Sequence, residues 1–313
     1  MKEYCFGVDV GGTSVKIGLF TVKGELLEKW EIKTRRENSG SLILSDIAQS
    51  IQAKMEERNL SREDISGAGM GVPGPVLEDG TVTVCVNLGW SNCNPARRLS
   101  ELLGVPVKCA NDANAAAYGE MWLGGGKGYS NVVAITLGTG VGGGVIQGGK
   151  IISGNHGLAG ELGHITVNPE ETEYCNCGNR GCLEQYASAT GVVRVARQKM
   201  KASSMASSLR GKEAHLSAKM VFDAAKAGDA LAMDAIDTLG YYLGLVMSYV
   251  TLTIDPDVFV IGGGVSRAGE ILLQVSQKYY DRFIRISSHY AKLSLAQLGN
   301  DAGIYGAARM TLE

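Results

Sequence analysis

Four residues of the types that bind zinc lie close together in the second half of this chain. His164 is followed by Cys175 after ten intervening residues, and Cys177 and Cys182 follow after one and four more. Three thiolates and one imidazole complete the tetrahedral coordination of Zn²⁺ and leave no open position. The spacing therefore predicts a structural zinc site, with a loop histidine satisfied by protein partners as the alternative for His164.

The remaining cysteines favour this metal site over a disulfide framework. Cys5, Cys85, Cys93 and Cys109 are scattered, and the total of seven is odd. The N-terminus has no signal-peptide pattern, and disulfides are rare in chains that stay in the cytosol. We therefore expect a cytoplasmic protein with reduced cysteines.

Two carboxylates flank the predicted zinc ligands. Glu161 precedes His164 by three positions, and Glu184 follows Cys182 by two. A metal site would hold both side chains in fixed positions, from which they can accept hydrogen bonds from a polyhydroxyl ligand. The alternative is that both are ordinary surface acids.

A glycine turn near the N-terminus is typical of a phosphate site. It follows an apolar strand and reads Asp-Val-Gly-Gly-Thr-Ser-Val-Lys. Glycines let backbone N–H groups approach an anion, a threonine adds a hydroxyl donor, and a lysine adds positive charge. The candidates for phosphate contact are Gly11, Gly12, Thr13 and Lys16, and Asp9 is a candidate for Mg²⁺ through water. A plain hairpin turn with a surface lysine is the alternative.

A second glycine turn lies at residues 138–144. Gly138, Gly140 and Gly143 match the Gly-x-Gly-x-x-Gly pattern of dinucleotide-binding proteins. That pattern requires a following helix, whereas residues 145–149 continue as a hairpin. We therefore favour a second phosphate-facing turn, with Thr139 and Gly140 as contacts, over an NAD-dependent oxidoreductase.

Two further segments are consistent with binding and equally with packing. Gly262, Gly263 and Gly264 follow a short strand and would let a flat group such as adenine lie against backbone, although close helix–strand packing explains them as well. Asp112 stands at a predicted helix start, where an aspartate is most often an N-cap. Only the neighbouring phosphate motifs favour a catalytic base there.

Composition and patterning place these motifs in an α/β fold with two lobes. The chain has 313 residues, a net charge of −2 and 43 glycines. The charge gives no reason to expect nucleic acid, and the 17-residue uncharged run Thr238–Ile254 predicts a buried helix followed by a strand. Strand, glycine turn and strand occur at Tyr4–Phe20 and return about 125 residues later at 131–152. This repeat indicates two duplicated lobes with a cleft.

Taken together, the motifs resemble the ROK family (repressor, ORF, kinase) of sugar kinases, most closely its glucokinases. The resemblance covers essentially the whole chain. It is carried by Asp9–Lys16, Gly71–Pro75, Asn87–Trp90, Asn111-Asp112, Leu137–Gly144, Glu161–His164 and Cys175–Glu184.

The resemblance implies a fold and an activity. The fold is the α/β, two-lobed actin-like ATPase (ribonuclease H-like) fold, with a small lobe of residues 1–118 plus 300–313. The large lobe is 119–299 and contains the zinc-binding segment 164–182. The activity is phosphorylation of a hexose, glucose first, at its 6-hydroxyl by ATP with Mg²⁺. An N-acetylmannosamine or other hexose kinase is the alternative, and a sugar-responsive repressor is a remote one.

The resemblance also implies roles for individual residues. Asp112 would be the general base, and His164 would bind zinc with one nitrogen and sugar with the other. The other sugar contacts would be Asn111, Glu161, Glu184 and, at the rim, Asn87 and Gly74. Phosphates would lie on Gly11, Gly12, Thr13, Lys16, Thr139 and Gly140, with the nucleoside on Gly262–Gly264. We expect a homodimer or higher homo-oligomer, and neither nucleic acid nor a membrane as partner.

Overall fold

A computed structural model describes residues 2–312, which form two compact units. Unit 1 comprises the described residues up to Ser130, the segment Gly144–Gly160, and the residues from Leu298 onward. Unit 2 comprises Asn131–Gly143 and Glu161–Gln297. Each unit contains strands and helices, as the sequence predicts.

The strands are β1 (Tyr4–Val10), β2 (Ser14–Thr21), β3 (Leu26–Lys33), β4 (Ile65–Val72), β5 (Val82–Cys85), β6 (Trp90–Cys93), β7 (Val107–Asn111), β8 (Val132–Leu137), β9 (Val141–Gln147), β10 (Lys150–Ile151), β11 (Val258–Gly262) and β12 (Lys292–Leu295). The helices are α1 (Glu37–Gly40), α2 (Ile43–Glu57), α3 (Pro95–Leu103), α4 (Asp112–Leu123), α5 (Glu184–Ala187), α6 (Ala189–Ala202), α7 (Ala218–Lys226), α8 (Ala230–Ile254), α9 (Glu270–Phe283) and α10 (Ala302–Met310).

The sheet of unit 1 has the strand order β3-β2-β1-β4-β7. Strands β1, β2 and β3 form an antiparallel meander, which contains the strand, glycine turn and strand expected at Tyr4–Phe20, and β4 and β7 add in parallel. One face of the sheet is covered by a cluster of buried apolar side chains. The cluster includes Ile43, Ile47 and Ile51 of α2, each at most 1% exposed. The periodic apolar residues of α2 thus form the core of this unit.

Glycines let α10 lie directly on the sheet of unit 1. A Cβ atom added at Gly7 of β1 would lie 1.9 Å from the carbonyl oxygen of Ile304, and one added at Gly69 of β4 would lie 1.7 Å from that of Ala307. Neither separation is possible for real atoms, so only glycine fits. Some of the 43 glycines therefore serve helix–strand packing.

The second sheet has the order β10-β9-β8-β11-β12, and its strands β8, β11 and β12 are parallel neighbours in unit 2. Helix α8 is followed by β11, which confirms the predicted helix and strand. Among the described helices, α8 alone has the length and apolar composition to cross a membrane, but 56% of its most apolar window is buried inside the protein. Buried residues such as Leu239, Leu243 and Met247 make it a core helix.

The second glycine turn is shorter than the sequence predicts. Strand β9 begins at Val141, so the turn consists of Gly138–Gly140 and the prediction of a loop through Gly144 is wrong. Gly144 lies within this strand and packs closely on α4, since a Cβ there would lie 2.6 Å from the Cβ of Ala117 and 2.8 Å from the carbonyl oxygen of Ala113.

The compact units and the predicted lobes divide the chain at different places. The predicted boundary after residue 118 falls inside α4, which continues to Leu123, and the units place 119–130 and 144–160 with unit 1. Met1 and Glu313, the outer ends of the predicted small lobe, lie outside the described residues. The predicted lobe boundaries stay a prediction.

Candidate functional site

In unit 2 the four predicted zinc ligands converge on one point. The Nδ1 or Nε2 atom of His164 and the Sγ atoms of Cys175, Cys177 and Cys182 all lie within 4.8 Å of one another. The Sγ atoms of Cys177 and Cys182 are 3.6 Å apart, and Cys175 Sγ is 3.9 Å from His164 Nδ1. Zn–S bonds of ~2.3 Å in a tetrahedron place two sulfurs about 3.8 Å apart, so the donor set fits zinc.

Backbone pairing brings these ligands together. Thr166 and Cys182 form an antiparallel bridge, and the amide of Val167 donates to the carbonyl oxygen of Gly181 at 2.7 Å. A Cβ on Gly181 would lie 1.8 Å from the carbonyl oxygen of Asn168. Glycine at 181 therefore allows the segment after His164 to pair with the segment before Cys182.

His164 is oriented with its two nitrogens facing different groups. Nδ1 faces Cys175, whereas Nε2 is 3.9 Å from Glu161 Oε2. A metal on Nδ1 would leave Nε2 to exchange a hydrogen bond with a ligand beside Glu161, whose side chain is exposed. The structure thus places these two predicted sugar contacts side by side.

Glu184 lies between the cysteine cluster and the second glycine turn. Its Oε2 atom accepts a hydrogen bond from the amide of Val141 at 2.9 Å, and its Oε1 atom is 3.6 Å from Cys175 Sγ. A Cβ on Gly140 would lie 2.1 Å from Oε2. The carboxylate is therefore partly engaged by protein groups, and its contact with sugar stays a prediction.

The second glycine turn is attached to the start of α6. Gly138 N–H donates to the carbonyl oxygen of Gly140 at 2.9 Å, which closes the turn. Ala189 N–H donates to Gly138 O at 2.8 Å, and Thr190 Oγ1 donates to Thr139 O at 2.8 Å. Thr139 is exposed, as a ligand contact requires. Sequence reasoning missed Thr190, because no motif includes it.

The first glycine turn, in unit 1, is attached in a similar way. Gly11 N–H donates to Ser14 O at 3.0 Å. Thr34 Oγ1 donates to Gly11 O at 2.7 Å, and Thr34 N–H donates to Thr13 O at 3.0 Å. Thr34 is buried just after β3 and was also missed. Its position 21 residues after Thr13 gives no signal in the sequence.

Asp9 and Lys16 stand opposite each other on β1 and β2. Burial raises the pKa of Asp9 to about 6, repulsion by the Asp112 carboxylate adds to the rise, and the positive charge of Lys16 opposes it. Lys16 Nζ donates to the carbonyl oxygen of Asn300 at 2.9 Å. Its contact with phosphate therefore stays a prediction.

The raised pKa of Asp9 predicts a pH-dependent stability change. The folded pKa of about 6 exceeds the model-compound value of 3.8, so between these pH values ionisation favours the unfolded chain. Asp9→Asn should therefore gain about 2–3 kcal/mol of unfolding free energy at pH 7.5 and well under half of that at pH 4. Urea unfolding without added Mg²⁺ at both pH values measures the gain. Asp223→Asn, an exposed aspartate on α7, is the control, and an equal gain at both pH values would contradict the assignment.

Asn111, and not Asp112, is the N-cap of α4. Asn111 Oδ1 accepts from the amides of Ala113 and Asn114 at 2.9 and 3.1 Å, and Asp112 is the first residue of the helix. The interpretation of Asp112 as the cap is therefore wrong. Its carboxylate stands in the first turn, where the helix dipole stabilises negative charge.

The side-chain amide of Asn111 also holds the loop that contains Gly74. Asn111 Nδ2 donates to Gly74 O at 3.1 Å. Gly74 has φ +91°, and a Cβ there would lie 2.4 Å from the carbonyl oxygen of Val84, so glycine is required. Asn87 is exposed in the turn between β5 and β6. Unit 1 thus brings Asn111, Asp112 and Gly74 together.

The third glycine cluster serves packing at one position and leaves another open. Gly263 has φ +82°, and a Cβ there would lie 2.5 Å from Leu137 O at the end of β8. A Cβ on Gly264 would meet nothing within 4 Å. Close packing accounts for Gly263, whereas Gly264 has room for a ligand.

Comparison with known proteins extends these observations to the whole chain. A sequence model described as the ROK family matches residues 5–313. The chain belongs to the ROK family.

Relatives with similar sequences include two glucokinases. The glucokinase of Halalkalibacterium halodurans is 43% identical over 306 residues, covering 96% of this chain and 92% of that protein. The glucokinase of Thermotoga maritima is 37% identical over 317 residues, covering 100% and 98%. A crystal structure of a ROK family glucokinase from Streptomyces griseus, in complex with glucose and AMPPNP, covers 98% of both chains with 35% identity and a TM-score of 0.75.

Membership of the ROK family confirms the fold class that the motifs implied. The chain has the two-lobed actin-like ATPase fold. Within unit 2 of this ROK protein, the four zinc-type ligands lie beside Glu161 and Glu184. Within unit 1, Asp9 and Asp112 are close enough to repel each other.

Proposed function

We propose that this ROK protein is a glucokinase, which transfers the γ-phosphoryl group of ATP to the 6-hydroxyl of glucose. The likeness to glucokinases over nearly the full length of the chain carries the proposal. The arrangement of carboxylates and glycine turns in the two units supports it, because phosphoryl transfer needs a base, anion-binding amides and a divalent cation.

Asp112 is the proposed general base. Its carboxylate accepts the proton of the 6-hydroxyl as that oxygen attacks the γ-phosphorus, and the bond to the β–γ bridging oxygen breaks. Asn111 positions this step, because its side chain caps the helix that begins with Asp112 and holds the Gly74 carbonyl. Asn87 and Gly74 are proposed contacts at the rim of the sugar site.

In unit 2, Glu161, His164 and Glu184 are the proposed contacts for the other sugar hydroxyls. The carboxylates accept hydrogen bonds, and the Nε2 atom of His164 exchanges one. His164, Cys175, Cys177 and Cys182 would hold a structural Zn²⁺, which supplies rigidity and fixes the histidine tautomer. These contacts read the pattern of equatorial and axial hydroxyls that separates one hexose from another.

Phosphate contacts are proposed in each of the two glycine turns. Gly11, Gly12, Thr13 and Lys16 in unit 1, and Thr139 and Gly140 in unit 2, contribute amides, hydroxyls and one charge for the phosphates. Asp9 would hold Mg²⁺, through water, when it is ionised, and its pKa of about 6 permits ionisation at neutral pH. Gly262, Gly263 and Gly264 would contact the nucleoside, with the open space at Gly264 as the best-supported position.

The same proposal includes the setting of the enzyme. We expect a cytoplasmic homodimer or higher homo-oligomer that acts on small molecules and binds neither nucleic acid nor membrane. The helix α8, although long and apolar, contributes many buried residues to unit 2 and so supports this expectation.

A panel of hexoses tests the function. ADP release with ATP and Mg²⁺ is measured for glucose, mannose, fructose, allose, N-acetylglucosamine and N-acetylmannosamine. We expect the highest kcat/KM for glucose, with other hexoses at least about tenfold lower, since one misplaced hydroxyl costs about 1–3 kcal/mol. Another hexose in first place would overturn glucose as substrate, and no ADP release above the sugar-free rate with any of them would overturn the kinase.

A further inference from the structure

Two threonines outside every sequence motif hold the carbonyl oxygens of the two glycine turns. In unit 1, Thr34 uses its hydroxyl on Gly11 O and its amide on Thr13 O, at 2.7 and 3.0 Å. In unit 2, Thr190 uses its hydroxyl on Thr139 O at 2.8 Å, and the amide just before it, of Ala189, is 2.8 Å from Gly138 O. The same pattern thus occurs once in each unit.

Peptide geometry converts these bonds into an orientation of N–H groups. In a trans peptide the C=O of one residue and the N–H of the next lie in one plane and point in opposite directions across the C–N bond. The described chain has no cis peptide bond. Holding Gly11 O therefore directs the N–H of Gly12 away from Thr34. Holding Thr139 O likewise directs the N–H of Gly140 away from Thr190.

This orientation matters because an anion is attracted by N–H groups and repelled by carbonyl oxygens. Glycine peptides rotate easily, since no Cβ restricts φ and ψ. At Gly12, packing supplies little restriction, because an added Cβ would meet nothing within 4 Å. A hydrogen bond to the carbonyl oxygen is then the main restraint that keeps this peptide from turning its oxygen toward a phosphate.

We propose that Thr34 and Thr190 are positioning residues that orient the N–H groups of the two glycine turns toward the phosphates of the nucleotide. The inference rests on the proposed function for the identity of the anion. Thr34 is buried and Thr190 is exposed. Their shared feature is therefore the bond to a turn carbonyl and not a shared packing role.

Paired substitutions at Thr190 test the proposal directly. Thr190→Val keeps the shape of the side chain and removes the hydroxyl, whereas Thr190→Ser keeps the hydroxyl. One lost hydrogen bond of ordinary strength corresponds to about a 2–12-fold change. We expect Thr190→Val to raise KM for ATP about fivefold to tenfold and to leave KM for glucose within about twofold. Thr190→Ser should stay within about twofold of the wild type for both.

Thr34→Val and Thr34→Ser form the matching pair in unit 1. The valine variant should again raise KM for ATP and leave KM for glucose nearly unchanged, and the serine variant should change neither. Thr253→Val is the control, because the Thr253 hydroxyl is exposed on α8 and donates to Tyr249 O within its own helix. It should change neither KM. Equal effects of valine and serine at a position would overturn the proposal there, as would a parallel rise of both KM values.

Two measurements keep the test separate from the proposed function. Amide hydrogen exchange of the peptide that contains Gly138–Val141 should be faster in Thr190→Val than in Thr190→Ser, and equal rates would overturn the proposal. In calorimetric titration with ADP and Mg²⁺, without sugar, the ratio of the Kd for ADP in the valine variant to that in the serine variant should equal the ratio of their KM values for ATP. Equal Kd values in the two variants would overturn the proposal. If the wild type phosphorylated no hexose, the proposed function would fail, while the Kd ratio would still decide the role of the threonines.

Discussion

Asp112→Asn should lower kcat for glucose phosphorylation by about 10²–10⁴-fold while leaving the Kd for glucose within a few-fold of the wild type. Removing a positioned general base costs a factor of this size. Asparagine fills the same volume and can still exchange hydrogen bonds with a hydroxyl, but it cannot accept the proton. Asn111 is the cap of α4, and the hydrogen bond that Asp112 Oδ1 accepts from the Ala113 amide can be kept by an asparagine Oδ1, so the helix start should survive the change.

The measurement combines single-turnover kinetics with glucose titration by calorimetry. Asn111→Ala is the comparison variant. It removes the helix cap and the hydrogen bond to Gly74 O but keeps the Asp112 carboxylate in the sequence. We expect it to reduce stability and to raise KM for glucose more than it lowers kcat. A retained kcat in Asp112→Asn would show that another group accepts the proton.

The parts of this protein that followed from the sequence are those that depend on local patterns. The meander of β1 to β3, the helix of α2 and the strand after α8 follow from apolar periodicity and glycine turns. The grouping of the four zinc-type ligands follows from residue type and spacing. All four lie within a short segment, and the bridge between Thr166 and Cys182 folds that segment back on itself.

What the sequence left unpredicted depends on contacts between distant segments. Thr34 and Thr190 hold the glycine turns from 21 and 51 positions away, and no local pattern marks them. Gly144 packs against α4 as part of β9, a contact that spacing cannot reveal. The helix α4 is capped by Asn111, where the sequence suggested Asp112, for a simpler reason. Either residue type can cap a helix, and only backbone geometry decides which one does.

Removal of the zinc site should have the second large effect. Cys177→Ser should lose the metal, because a serine hydroxyl is a far weaker zinc ligand than a thiolate, and the wild type should contain about one zinc per chain. The Thr166–Asn179 segment contains no α-helix and only isolated bridges, so a bound metal would contribute much of its order. We expect the free energy of unfolding to fall by several kcal/mol and Tm to fall by about 10–20 °C.

In Cys177→Ser, glucose binding should be weakened more than ATP binding. If a metal fixes the positions of His164 and Glu161, its loss should raise KM for glucose about tenfold or more. The glycine turn of unit 1 has its own support from Thr34. The change in KM for ATP should therefore be smaller.

Cys93→Ser is the matched control, since Cys93 is a partly exposed free thiol of unit 1 and is not one of the four clustered ligands. It should keep the zinc, the Tm and both KM values. Should Cys177→Ser fail to fold, chelation of the purified wild type gives the same comparison, with zinc re-addition as the reversal. A wild type that contains no zinc, or a chelated protein with unchanged Tm and KM for glucose, would mean that the four ligands are held by protein contacts alone. Glu161 and His164 would then owe their positions to the Thr166–Cys182 bridge and not to a metal.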